Sequence, residues 1–136
     1  MNMNRKVRTI MIIASIAVVF SGFVPQGSTD SFLESITKVF TNGNSSELGK
    51  HLNPTVELEL LDEENIYSKS QAELLMKDFF TRNKPTSFRI NHQGNKGNTS
   101  FAIGTLVTQT GSFRVSIFMK TDKSKLLIHQ IRIERS

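Results

Sequence analysis

Cysteine and tryptophan are absent from this 136-residue chain, and proline occurs only three times. The lack of cysteine excludes disulfide scaffolds, thiolate metal sites, thiol nucleophiles and lipid anchors attached to cysteine. Because the three histidines are scattered, we expect neither a metal site nor a cofactor. Hydrophobic residues form 38% of the chain, which argues against disorder, and the length suits one domain.

The N-terminus has the pattern of an export signal. Arg5, Lys6 and Arg8 precede an apolar run over residues 10–24. This run is shorter than the roughly 20 residues that a membrane-spanning helix needs. It therefore predicts a signal peptide over residues 1–27, with cleavage between 21/22 and 29/30, and a single domain over residues 28–136. The alternative is an uncleaved N-terminal anchor in the inner membrane.

The excess of positive charge belongs mostly to this signal. The formal net charge is +5, and removal of the three basic residues of the signal leaves +2. A nearly balanced domain lacks the basic footprint of a nucleic-acid-binding protein. We therefore expect no nucleic-acid partner, and membrane contact only through the signal segment before cleavage.

The first half of the mature chain is predicted to contain three helices. Apolar residues recur at helical spacing from Phe32 to Phe40, a Ser31–Glu34 capping box precedes them, and Gly43 follows. A short second helix is expected over residues 45–52, and a strand over 56–60. A polar turn over residues 62–65 and a short return strand at 66–67 come next. The third helix begins after a capping box, either Ser68–Gln71 or Ser70–Glu73, and carries an apolar stripe: Ala72, Leu75, Met76, Phe79, Phe80.

The remaining residues predict four antiparallel strands, over 87–93, 100–109, 112–120 and 126–134. Parity places one apolar set on a common face: Phe101, Ile103, Val107, Phe113, Val115, Ile117, Met119. Helices followed by a meander indicate an α+β fold, with the three helices on one face of a curved, mainly antiparallel sheet.

Several strings of residues make the chain similar to a known family. The chain resembles the exported bacterial family known as domain of unknown function 4783, within the nuclear-transport-factor-2-like superfamily of α+β cones. The strings are Tyr67-Ser68-Lys69, Gln71-Ala72-Glu73, Asp78-Phe79-Phe80, His92-Gln93-Gly94, Ala102-Ile103-Gly104, Phe113-Arg114-Val115 and Gln130-Ile131-Arg132-Ile133-Glu134. The resemblance implies a bacterial envelope location, with the periplasm as the expected compartment, and brings no catalytic or binding residues.

Four side chains are candidates for a pocket between helices and sheet: Tyr67, Asp78, His92 and His129. Parity places both histidines inward on their strands, although on strands too far apart to share a metal ion or a proton. A buried histidine or acid could act as a general base. For each histidine a structural role at the edge of the core is the more frequent alternative, and for Asp78 a surface position.

The second face of the meander is a candidate for partner contact, because apolar side chains there alternate with charged ones. Its candidate residues are Leu106, Phe118, Ile128, Arg114 and Arg132. The partner would be a protein, and a homodimer through this face is one option.

The sequence therefore favours a non-catalytic binding module. Its ligand is either a small apolar molecule in the cone or a protein on the outer sheet face. The alternative is an isomerase or dehydratase that uses one inward histidine or aspartate.

The export signal makes the first testable prediction. The mature protein should begin between Gly22 and Asp30, because the basic segment and the apolar run precede the folded domain. N-terminal sequencing of the envelope form measures this directly. An intact Met1 on a membrane-bound species would instead identify the N-terminal anchor.

Overall fold

Three helices and six strands follow one another in the predicted order in the computed structural model, which describes residues 26–136. The helices are α1 (Gln26–Asn42), α2 (Ser45–Lys50) and α3 (Lys69–Arg82). The strands are β1 (Leu52–Leu60), β2 (Glu63–Ser68), β3 (Pro85–Lys96), β4 (Thr99–Thr108), β5 (Gly111–Asp122) and β6 (Lys125–Arg135). The predicted signal peptide lies outside the described residues except for its last two, which begin α1. No helix within residues 26–136 is long and apolar enough to cross a membrane.

The six strands form one open sheet in the order β2-β1-β6-β5-β4-β3. β1 and β6 run parallel, and all other neighbouring strands are antiparallel. This confirms the predicted α+β class and the mainly antiparallel sheet. The short β2 and the long β3 form the two edges.

The local signals for the helix boundaries were accurate at three of four sites. The Ser68–Gln71 capping box is present at the start of α3, and Gly43 follows α1 with a φ of 62°, which glycine adopts without strain. Helix α2 starts at Ser45 as expected. The Ser31–Glu34 capping box, however, is wrong. α1 begins at Gln26, and the Ser31 carbonyl accepts a bond from the Ser35 hydroxyl inside the helix.

The connection between β1 and β2 is tighter than the predicted polar turn over residues 62–65. Leu60 pairs with Glu63, so only Leu61 and Asp62 join the two strands. Leu61 adopts a φ of 59°. β2 therefore extends over six residues and adds Glu63, Glu64 and Asn65 to the sheet.

Phenylalanine rings fill the space between the helices and the sheet. The ring of Phe79 on α3 lies 5.2 Å from that of Phe113 on β5, and the ring of Phe40 on α1 stacks 5.0 Å from that of Phe88 on β3. Phe80 joins the two pairs, since its ring lies 5.9 Å from Phe79 and 5.8 Å from Phe40. All five side chains are at most 6% exposed. These rings identify the inner face of the sheet as the one that the helices cover.

The pairing of the β4–β5 hairpin places Leu106 on this inner face. Thr108 pairs with Gly111, so Leu106 lies opposite Phe113 and both are completely buried. The sequence prediction instead placed the odd-numbered residues of β4, such as Ile103, on the face of Phe113. That prediction is wrong because a two-residue loop pairs residues of opposite parity, so the even-numbered residues of β4 share a face with the odd-numbered residues of β5.

Two β-bulges change the orientation of side chains in β3 and β6. Ile90 pairs with Gly104 and His92 with Ile103, so Asn91 is an extra residue. In β6, Ile128 pairs with Met119 and Gln130 with Phe118, which makes His129 the extra residue. A bulge of one residue reverses the alternation of side chains beyond it. His92 consequently lies on the outer face, and Ile128 is completely buried in the core, so both predicted orientations are wrong.

The aromatic core can be tested by truncating its central ring. We expect Phe79→Ala to reduce the free energy of unfolding by about 3–5 kcal/mol, because the variant loses the transfer free energy of the ring and leaves a cavity. Chemical denaturation measures the change. Leu74→Ala, at a position 65% exposed on the same helix, is the control and should alter stability by less than about 0.5 kcal/mol. Equal stabilities of the two variants would contradict the packing of α3 on the sheet.

Candidate functional site

Within residues 26–136, the interior of the domain contains no open polar site. The buried polar side chains within residues 26–136 are those of Thr108 and Ser116. The Thr108 hydroxyl donates to the Gly111 carbonyl and accepts a bond from the Thr110 amide, so it completes a turn. In the same part of the chain, no group of three or more histidine, aspartate or glutamate side chains is close enough to hold a metal ion.

Tyr67 and Asp78 do not meet in a pocket. Tyr67 pairs with Val56 and packs, half-buried, against the edge of the core. Asp78 lies on the exposed side of α3 and forms a 3.2 Å ion pair with Arg82. Asp78 therefore occupies a surface position, which was expected from the sequence to be more frequent than a place in the pocket.

The two candidate histidines lie away from the helices. His92 is exposed on the outer face of the sheet, where its ring lies 5.8 Å from that of Phe101. His129 is half-buried, and its Nε2 atom makes no hydrogen bond to the described residues. Burial lowers the pKa of His129, and the nearby Lys120 adds to this effect. The enzyme alternative assumed an inward histidine or aspartate, and neither histidine nor Asp78 occupies that position.

His129 lines a shallow depression of about 370 Å³ on the outer face. Two backbone irregularities border it: the bulge at His129 itself, and a detour of β1 between Leu52 and Glu57 relative to β6. Phe118 and Ile66 contribute apolar walls. The depression therefore combines apolar walls with the imidazole of His129.

The outer face is defined here as the sheet surface that points away from the helices. Strand pairing aligns one row of it across all six strands: Ile66, Glu57, Gln130, Phe118, Phe101, Gly94. The next row consists of Glu64, Glu59, Arg132, Ser116, Ile103 and His92. Ile66 is 69% exposed and Val107, farther along β4, is 38% exposed, so apolar surface is accessible on this side.

Three of the five predicted partner-face residues belong to the outer face, namely Phe118, Arg114 and Arg132. Leu106 and Ile128 do not, because both are completely buried in the core. Sequence reasoning missed the most exposed apolar residue, Ile66. Glu64 and Ile66 lie two residues apart on one strand and therefore share a face. The prediction missed this alternation because it assigned residues 62–65 to a turn.

Arg132 occupies the centre of a small charge network on the outer face. Its Nε atom lies 3.2 Å from a Glu59 carboxylate oxygen and 3.8 Å from one of Glu134. These contacts are ion pairs without hydrogen-bond geometry, since the buried Nε makes no hydrogen bond. On the neighbouring strand, a hydrogen bond with the Glu64 carboxyl raises the pKa of Glu57, and burial and the negative charge of Glu64 act in the same direction.

Charges of opposite sign are separated across the outer face. The side formed by β1 and β2 carries Glu57, Glu59 and Glu64. On β6, Arg132 and Glu134 balance each other. The side formed by β3, β4 and β5 carries four basic residues, Arg89, Lys96, Arg114 and Lys120, and one acidic residue, Asp122, at the hairpin tip beside Lys125.

The Glu57–Glu64 contact predicts a titration that can be measured. Glu57 should titrate above its usual pKa because Glu64 stabilises the protonated form. A raised pKa in the folded state means that this contact stabilises the fold at acidic pH and loses that contribution as the pH rises through the folded-state pKa. Carbon-detected NMR of the Glu57 carboxyl should therefore show a lower pKa in Glu64→Ala. An unchanged midpoint would contradict the contact.

Comparisons with known proteins agree with this architecture. A DUF4783 protein from Bacteroides ovatus ATCC 8483 is 40% identical, with 75% of this chain and 93% of that chain covered, at a TM-score of 0.73. One from Bacteroides uniformis ATCC 8492 is also 40% identical, over 76% and 95% of the two chains, at a TM-score of 0.73. A designed protein, Rd1NTF2_04 with long sheet, matches at 18% identity over 76% and 97%, at a TM-score of 0.64, which shows the NTF2-like fold alone.

No curated protein matches the sequence. The model of the family described as domain of unknown function (DUF4783) matches residues 33–134, which span β1 to β6 and all but the first turns of α1. The chain therefore belongs to the DUF4783 family.

Proposed function

We propose that this protein is an exported, non-catalytic binding module whose outer face contacts a protein partner. One contrast carries the proposal. The interior, where a small ligand would bind in a cone, is filled by five phenylalanine rings, whereas accessible apolar side chains lie on the outer face. A protein of this size that exposes apolar groups between charged ones on a broad sheet has the composition of a contact surface.

A small apolar ligand inside the cone is the weaker alternative. The rings of Phe40, Phe79, Phe80, Phe88 and Phe113 are in mutual contact and nearly inaccessible. A ligand of 300 Å³ or more, the usual lower size of a binding pocket, would have to separate α3 from β5 and break these contacts. The cost of opening a close-packed core is several kcal/mol for each large side chain displaced.

The outer face has the arrangement typical of an interaction surface. Phe118 lies near its middle, on one of the two central strands, and is half-buried by its neighbours. Aromatic residues at the centre of an interface contribute most of its binding free energy when charged residues around them exclude water. Lys120 and Arg132 are charged residues one row from Phe118 on the face, and Arg114 lies one row farther along β5.

Site-specific photo-crosslinking tests the contact surface without assuming the identity of the partner. A photoreactive phenylalanine analogue replaces Ile66 in the full chain, in cells that export it. We expect a discrete adduct above the mass of the monomer, and mass spectrometry identifies the second protein. The matched control places the same analogue at Leu74, which is about equally exposed, at 65% against 69%, but lies on α3.

The two positions give different results only if the outer face is the contact surface. Adducts at position 66 and none at position 74 are the expected outcome. Equal labelling at both positions, or labelling at 74 alone, would contradict the proposal, as would a monomer at both positions.

A further inference from the structure

We propose that the depression on the outer face binds a short peptide with free termini and apolar side chains, its ammonium group toward Glu57 and its carboxylate toward Lys120. This inference goes beyond the proposed function, because the occupant is a small molecule rather than a protein. The depression has a volume of about 370 Å³, which is within the range of about 300–1,000 Å³ typical of small-molecule sites. Its lining includes Ile66, Phe118 and His129 in addition to the two charged residues.

Two irregularities in adjacent strands meet at this position of the sheet. β1 pairs with β6 at Leu52 and again from Glu57 onward, with a shift of register between the two points. On β6, His129 is the extra residue of a bulge. Bulges are over-represented next to functional sites, where they redirect a side chain. Here the bulge places the imidazole of His129 in the wall of the depression.

The two sides of the depression carry opposite charges. On the side of β1, the Glu57 carboxyl contacts that of Glu64 on β2. On the opposite side, Lys120 opens the end of the β5–β6 hairpin, and residues 120–125 contribute three lysines against one aspartate. A ligand with a single charge would face a like charge on one side, whereas a ligand with separated opposite charges complements both. The charge pattern therefore favours a zwitterion.

The separation of the two charged residues fits a dipeptide. Glu57 pairs with Gln130, which pairs with Phe118, so Glu57 and Lys120 lie two strands and two residues apart. Their Cα atoms are therefore roughly 12 Å apart, and side chains that stand perpendicular to the sheet keep a similar separation. An extended dipeptide spans about 7 Å. With an ion-pair contact of about 2.8 Å at each end it covers roughly 13 Å.

His129 lies under the middle of such a ligand, because β6 is between β1 and β5. Its Nε2 atom is buried and makes no hydrogen bond within residues 26–136. Burial and the nearby Lys120 hold the pKa of His129 below its usual value, so the ring is uncharged at neutral pH and offers one donor and one acceptor. A buried nitrogen without a partner costs free energy, and a hydrogen bond from the peptide group of the ligand removes this cost.

The free termini are tested with four forms of one dipeptide: leucyl-leucine, its N-acetyl form, its C-terminal amide and the form with both caps. NMR titration of the purified wild type follows the imidazole signals of His129. We expect leucyl-leucine to shift these signals at low millimolar concentration. Each cap should weaken binding about fivefold, because it removes one ion pair.

Two variants assign each terminus to its residue. In Glu57→Gln, leucyl-leucine and its N-acetyl form should bind equally, and in Lys120→Gln, leucyl-leucine and its amide should bind equally. The matched controls are Glu63→Gln and Lys96→Gln, which remove the same charges at exposed positions of β2 and β3 outside the depression. Both controls should keep the fivefold ratios, and circular dichroism establishes that all four variants are folded.

Two results for the wild type alone would overturn the proposal. Unchanged His129 signals at 20 mM leucyl-leucine, a concentration of the order at which weak sites fill, would exclude the depression as a peptide site. Equal affinities of the four forms would show that the contact is apolar and that the termini are not recognised. Loss of the fivefold ratios in the control variants would contradict the assignment of the termini to Glu57 and Lys120.

These failures are separate from a failure of the proposed function. If the purified chain binds leucyl-leucine as expected and photo-crosslinking at Ile66 gives no adduct, the peptide site is correct and the protein contact is wrong. If Ile66 gives an adduct and leucyl-leucine does not bind, the outer face keeps its role and the peptide site is wrong.

Discussion

The contact between Phe79 on α3 and Phe113 on β5, together with the stack of Phe40 on Phe88, holds the helices to the sheet. Helix α1 packs on β3 and α3 packs on β1 and β2, so these rings join both ends of the helical layer. Gly104 makes room for this packing, because an added Cβ there would lie 2.6 Å from the Phe88 ring. Within residues 26–136, these rings occupy the space between the helices and the sheet.

The helical part of the fold follows from local signals. Apolar spacing from Ala72 to Phe80, the Ser68–Gln71 capping box and Gly43 all depend on residues within a few positions of one another, and all have the predicted role. The element order and the α+β class follow from the same signals. The orientation of strands depends on single-residue events, which the alternation of residues does not reveal.

Two such events and the parity of hairpin pairing explain the misplaced candidate residues. The two-residue loop between Thr108 and Gly111 pairs even-numbered residues of β4 with odd-numbered residues of β5, so Leu106 points inward. The bulge at Asn91 turns His92 outward, and the bulge at His129 keeps Ile128 in the core. Each bulge moves a side chain to the other face of the sheet without changing the composition of the strand. The prediction is correct for Phe118, Arg114 and Arg132. The first two lie on β5, which contains no extra residue, and Arg132 lies beyond the bulge of β6, where the alternation is regular.

The central proposal is that the outer face of the sheet contacts a protein partner. Radical footprinting of the exported protein in the bacterial envelope, compared with the purified chain, tests this most directly. The account predicts that Ile66 and Phe118 are labelled less in the envelope than in the purified chain, whereas Leu74 on α3 is labelled equally in both. Equal labelling of Ile66 and Phe118 in the two samples would contradict the account.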